Sequence, residues 1–205
     1  MIKKSMAGVF LCLMMTALLV FHTGCSFSVG AADLMEGVNA KTVTGKAADD
    51  VFISSSANFA AELFKKTVTQ GENSLISPLS VMLALAMTAN GADAQTKAEM
   101  EAVLGGGMTV GDLNEYLYTY VKNLPTDDAY QLEIANSIWI KDDDSFAADP
   151  DFLQTNADFY GAAAYKAPFD EQTLADINNW VKDNTDGMID KILDQIDPDM
   201  VIYLI

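Results

Sequence analysis

Residues 77–89 constrain this chain more than any other stretch. Ser77-Pro78-Leu79-Ser80 is a helix start, with Ser77 placed to cap and Pro78 at the first helical position, where its missing N–H does no harm. From Val81 to Met87 the sequence is apolar on every side, so a helix here has no polar stripe to show to water. It has to be covered all round, in a core with more than one layer. Val81, Leu83, Leu85 and Met87 are therefore expected to be largely inaccessible in the intact domain. Two hydroxyls, Ser77 and Ser80, stand where the helix begins.

The N-terminal residues do not belong to that core. Lys3 and Lys4 precede an apolar run from Met6 to Phe21, too short and too early for a membrane span, which is the form of an export signal. His22-Thr23-Gly24-Cys25 is similar to a bacterial lipobox, although His22 stands where Leu is preferred, and it marks Cys25 as a lipidation site over a leader of residues 1–24. Cleavage after Ala32, in Gly30-Ala31-Ala32, is the alternative and would release the protein freely. Either route makes this an exported protein, extracellular or at the cell surface, touching a membrane only through a lipid on Cys25.

Removing the leader narrows the chemistry. Losing Lys3 and Lys4 takes the 12 basic residues, all of them Lys, to ten against 29 acids, a net charge near −19 instead of −17. Without Arg or a basic patch, neither nucleic acid nor heparin is expected as a partner. The single histidine, His22, lies in the leader, as does Cys12. The mature chain therefore lacks the parts of Ser-His-Asp and Cys-His nucleophile systems, of ordinary zinc sites and of disulfides, and an enzyme, a metal site and a cofactor are not expected. About 180 residues remain, enough for one ordinary domain held by its core.

Residues 25–50, small and polar without an apolar period, are expected to be a flexible tether before a domain over 51–205. Phe52, Phe59, Leu63 and Val68 predict a helix ending at Gly71, and residues 73–76 a short strand into the buried helix, which Gly91 ends. Thr96-x-x-Glu99 predicts a capping box, and Thr109-x-x-Asp112 opens another helix carrying Leu113, Leu117 and Val121. Alternation from Tyr130 to Ile140 predicts a long strand, and Asp149-Pro150 a helix. A short strand is expected from Ala163 to Phe169. Leu174, Ile177, Trp180 and Val181 predict an amphipathic helix that breaks near Asp186-Gly187 and resumes through Ile189, Ile192 and Ile196. Val201 to Ile205 predicts a strand in which the chain halts.

Two acidic features have the outline of sites. Asn184-x-Asp186-Gly187 has the middle of a calcium loop, but its first and twelfth positions fall on Lys182 and Leu193, which cannot ligate calcium. A calcium-binding surface module stays only as a minor alternative. Asp142-Asp143-Asp144 and Asp194-x-x-Asp197-x-Asp199 lie in turn-like polar stretches and are read as solvated loops rather than paired catalytic carboxylates.

The buried helix does not stand alone. "NSLISPLSVMLALAMTANGADAQTKAEMEAVL" resembles the start of the serpin domain, "LEIANSIWI" resembles that family's central strand, and "INNWVKDNTDGMIDKIL" resembles its helix lying across the large sheet. The order and spacing agree from about Phe52 to Ile205. The resemblance implies an α+β fold with helices packed around a large mixed sheet, cut within the sheet. It implies a serine protease inhibitor that acts by reactive-loop cleavage and insertion of the loop as a new strand, with serine proteases as partners. The alternative is a non-inhibitory serpin scaffold used as a surface binding module. Ser77 and Ser80 match the family's shutter positions under the opening strands, and Asn178 matches the shutter asparagine on the overlying helix. Only the N-terminal portion of the domain is matched, so the reactive loop is expected to be missing from this chain.

Overall fold

The computed structural model describes residues 30–125 and 132–205, so Cys25, the leader and the Tyr130 end of the expected long strand lie outside the described residues. The elements run β1 (Ala32–Asp33), α1 (Asp50–Thr67), α2 (Pro78–Ala89), α3 (Ala94–Gly105), α4 (Val110–Lys122), β2 (Ser137–Lys141), α5 (Pro150–Tyr160), β3 (Ala163–Ala167), α6 (Glu171–Asp183) and β4 (Ile202–Leu204). The sheet is mixed, in the order β1-β3-β2-β4. β3 runs parallel to β2 through the α5 crossover, while β1 and β4 pair antiparallel at its two sides. This is the α+β architecture that the sequence implied.

Helix starts follow the local chemistry. The Ser77 side chain accepts from the Ser80 N–H ahead of Pro78, and Thr109 accepts from the Asp112 N–H. Asp149 precedes Pro150 and accepts from the Asp151 N–H, and Asp170 and Thr173 form a reciprocal box at the start of α6. α5 ends on Gly161 at φ 56, a left-handed cap that costs glycine nothing.

Alternation along the strands divides the core in two. Ile138, Ala164, Ile202 and Leu204 face Met87 of α2 and Leu153 of α5. Trp139, Tyr165, Ala167 and Tyr203 face the opposite way, onto Ile177 and Trp180 of α6 with Leu193 and Ile196. A third cluster, centred on Leu83, Leu104, Leu113 and Leu117, holds α1 to α4 together. α2 is thus buried at one end among helices and at the other under the sheet. Leu83 and Met87 are buried as expected, whereas Val81 and Leu85 are half-buried at the margin of the helical cluster.

Several local expectations are corrected. The stretch read as a flexible tether is docked from Gly30 to Asp49. Ala32 and Asp33 pair with Lys166 and Tyr165, the Lys41 amide donates to Asp158, and Lys46 bonds Asp112 and Glu115 on α4. Its small residues allow this: at Gly45 any Cβ would lie 2.0 Å from Thr119 Oγ1. α3 begins at Ala94 after Asp93 rather than at a Thr96 box, and Glu101 uses its carboxylate on the Val110 amide. Residues 73–76 form no strand, and Leu75 is fully exposed. Of the expected long strand, only Ser137–Lys141 pairs among the described residues. Gly91 lies just past α2, which Asn90 caps. The helix expected to resume after Gly187 does not, because Asn178 and Thr185 bond the backbone amides of residues 189, 192 and 193 and hold it in turns.

Candidate functional site

β4 is the strand at the β2 edge of the sheet. Its amides and carbonyls pair only with β2 among the described residues, through contacts such as Ser137 N to Ile205 O at 2.9 Å and Ile205 N to Ser137 O at 3.0 Å. Its other edge carries no pairing there. Because β4 alternates, α2 and α5 hold it from one face through Ile202 and Leu204, while α6 and residues 193–196 hold it from the other through Tyr203 and Ile205. Tyr203 also packs edge-on against Phe169 at 5.1 Å and accepts the Asp197 amide on its hydroxyl. β4 is thus fixed by β2 along one edge and by helices on both faces.

The predicted site residues fall in two places. Ser77 Oγ and Ser80 Oγ lie 2.8 Å apart at the start of α2, both exposed, and Ser77 Oγ also accepts the Ser80 amide at 3.3 Å. Asn178, half-buried on α6, accepts the Ile192 and Leu193 amides at 2.8 and 3.0 Å on Oδ1 and donates from Nδ2 to the Leu193 carbonyl at 3.0 Å. No hydrogen bond joins Asn178 to either serine among the described residues; its carboxamide pins the segment that leads into β4. In the stretch weighed as a calcium loop, Lys182 pairs with Asp190 at 2.7 Å, and Asn184 donates its amide to the Trp180 carbonyl.

Two groups escaped the sequence. A polar chain threads the helical side of the sheet: Tyr160 donates to Asn114, Asn114 to Asn90, Asn90 to Asn156, and Asn156 to the Met87 carbonyl. Asn114 and Asn156 are buried, and burial pushes the Tyr160 phenol well above its ordinary range. The signal was present as asparagines at the ends of α2 and on α4 and α5, but an isolated Asn in sequence is more often solvated. The second group is the docked strap. Lys46 is held above its ordinary value by hydrogen bonds to Asp112 and Glu115, and the Lys46 bond depresses Asp112. Asp49 caps α1 and is depressed by the Phe52 amide, then by Tyr116, whose phenol it raises in turn. Farther up the strap, Gly30 N donates at 2.9 Å to Asp176, a buried carboxylate on α6.

Comparison with known proteins gives this geometry its family. The profile for serpins (serine protease inhibitors) matches residues 54–205. The chain belongs to the serpin family. It is 30% identical over 146 residues to Serpin-ZX of Arabidopsis thaliana, covering 68% of this chain and 37% of that protein. To human neuroserpin it is 28% identical over 155 residues, covering 72% and 37%. Among solved structures, the thermophilic serpin tengpin in its native state matches with 56% identity and a TM-score of 0.80, over 85% of this chain and 45% of that one. The same serpin in its latent state matches at 0.73 over 78%. The chain thus spans less than half the length of these relatives.

Proposed function

We propose that the protein inhibits serine-type endopeptidases by the serpin route. The protease cleaves an exposed reactive loop, remains attached as an acyl-enzyme, and is trapped as the loop enters the sheet as a new strand beside β4. The observation that supports this most is the serpin match over residues 54–205, in which β4 pairs with β2 and is covered on its two faces by α2 and α6. In this reading the bait loop belongs to the part of the serpin domain outside these 205 residues. Ser77 and Ser80 are the hydroxyl pair that exchanges partners as strands part, and Asn178 fixes the approach to β4. The test is incubation of the protein carrying its reactive loop with trypsin-like, chymotrypsin-like and subtilisin-like enzymes. SDS-stable complexes near one-to-one stoichiometry are expected; clean cleavage with no stable complex for every protease would overturn the reading.

The protein acts, in the same proposal, outside the cytoplasm and anchored by a lipid on Cys25. Docking of the strap favours Cys25 over the alternative cleavage after Ala32. That cut would remove Gly30 from Asp176, Ala31 from the cluster under α6 and Ala32 from its pairing with Lys166.

A further inference from the structure

Between α4, the last turn of α5 and the chain entering β2 lies a cavity of about 460 Å³, within the range of roughly 300–1,000 Å³ common for small-molecule sites. Leu83 and Leu117, both buried, and Val121 and Ile134, both half-buried, give it an apolar lining. Lys41 on the strap and Lys122 on the last turn of α4 also line it, and both are exposed. Among the described residues neither lysine has a carboxylate partner, a property they share with Lys66, Lys97 and Lys141; what sets these two apart is that they line one apolar cavity. Lys122 sits over the Tyr118 ring at 4.1 Å and donates to its hydroxyl. The one carboxylate in the lining, Asp158, is already used by the Lys41 amide at 2.7 Å and by Gln154 Nε2 at 2.7 Å.

We propose that this cavity binds a fatty acid, an amphiphile with one carboxylate head and one unbranched alkyl tail. The head lies between Lys41 and Lys122, and the tail runs over Leu83, Leu117, Val121 and Ile134. A polyphosphate or sulfated ligand would leave the apolar lining unused and meet only two cations. A neutral hydrocarbon would leave the two lysines of the lining without a counter-charge. This inference goes beyond the inhibitor reading and does not depend on it.

The test is isothermal titration calorimetry of dodecanoate, kept below its micelle concentration, into the full-length protein. Saturable one-to-one binding is expected. The surface double variant Lys41→Glu/Lys122→Glu, checked for an unchanged melting temperature, should weaken it by roughly tenfold or more, the scale expected for losing charge-assisted hydrogen bonds. Ile134→Glu should abolish it, and decanol should bind about tenfold more weakly than decanoate. Absence of saturable heat in the wild-type protein would overturn the proposal. So would equal affinity in the charge-reversed variant, or equal binding of the alcohol and the acid.

Discussion

Asn156→Leu isolates the buried polar chain, because it keeps the side-chain volume nearly constant and removes only hydrogen-bonding capacity. Asn156 is fully buried on α5, accepts Asn90 Nδ2 at 3.1 Å and donates to the Met87 carbonyl at 3.4 Å. The two losses are unequal. The Met87 carbonyl keeps the Asn90 backbone amide at 3.3 Å, and the bond it gives up is long, so its contribution is small. Asn90 Nδ2 has no substitute acceptor in its hydrogen-bond set and is left pointing at an alkyl group. Stranding one partly buried amide donor costs about 1–3 kcal/mol. The added apolar contact of the leucine returns part of this, so the expected loss is about 1.5 kcal/mol.

The double variant Asn90→Ala/Asn156→Leu removes the stranded donor as well. It should lose less than the sum of the single losses, with a coupling of about 1 kcal/mol. Urea unfolding of the full-length protein, followed by far-ultraviolet circular dichroism, supplies the midpoints, and an unchanged slope shows that the same transition is compared. A single-variant loss below about 0.5 kcal/mol, or strict additivity in the double, would refute the claim that these asparagines act as a chain.

Leu83→Ala, at a position 2% exposed in the helical cluster, should cost about 2–5 kcal/mol in the same assay; a loss under half a kcal/mol would place α2 at the surface. The strap should detach in acid. Asp112 and Asp49 are depressed in the folded chain, so their stabilisation is fully present above the ordinary aspartate range near pH 4 and is lost as pH falls below it. The protection of the Lys46 amide, which donates to the Glu115 carbonyl, taken as its exchange rate relative to the intrinsic rate at each pH, should be constant from neutral pH down to that point and fall below it. Cys25→Ala should shift the protein from membranes to the medium or leave the precursor uncleaved, as fractionation and intact-mass measurement will show; a wild-type N-terminus at Asp33 would contradict the lipid anchor.

What was legible in the sequence was whatever a short window encodes. The Ser77-Pro78 start, the Thr109 cap and the Asp149-Pro150 start each depend on contacts within three residues, and each stands where it was expected. The apolar run of α2 was legible because no amphipathic alternative exists for it. The strap was not, because its partners are far along the chain: Lys46 meets Asp112, Lys41 meets Asp158, and Gly30 meets Asp176. Small polar composition reads as loose chain unless those partners are known. The helix expected after Gly187 failed for a related reason, since apolar spacing at Ile189, Ile192 and Ile196 was real but Asn178 had taken two of the backbone amides.

The same non-local bonds show what Asn178 does on α6. A carboxamide on a helix that crosses a sheet can reach either down toward the strands or along toward the segment that follows its own helix. Here the second choice wins, because residues 192 and 193 present two unpaired amides and a carbonyl within 3.0 Å, three bonds for one side chain. Residues 193–196 then lie over Tyr203 and Trp139, sealing the outer face of β4. Asn178 thereby sets how firmly this segment is held on that face. In the proposed mechanism, Asn178 would act through this segment, since its carboxamide bonds residues 192 and 193 and neither Ser77 nor Ser80. A substitution at Asn178 and one at Ser80 should accordingly be additive in stability, since distant sites with no shared partner do not couple.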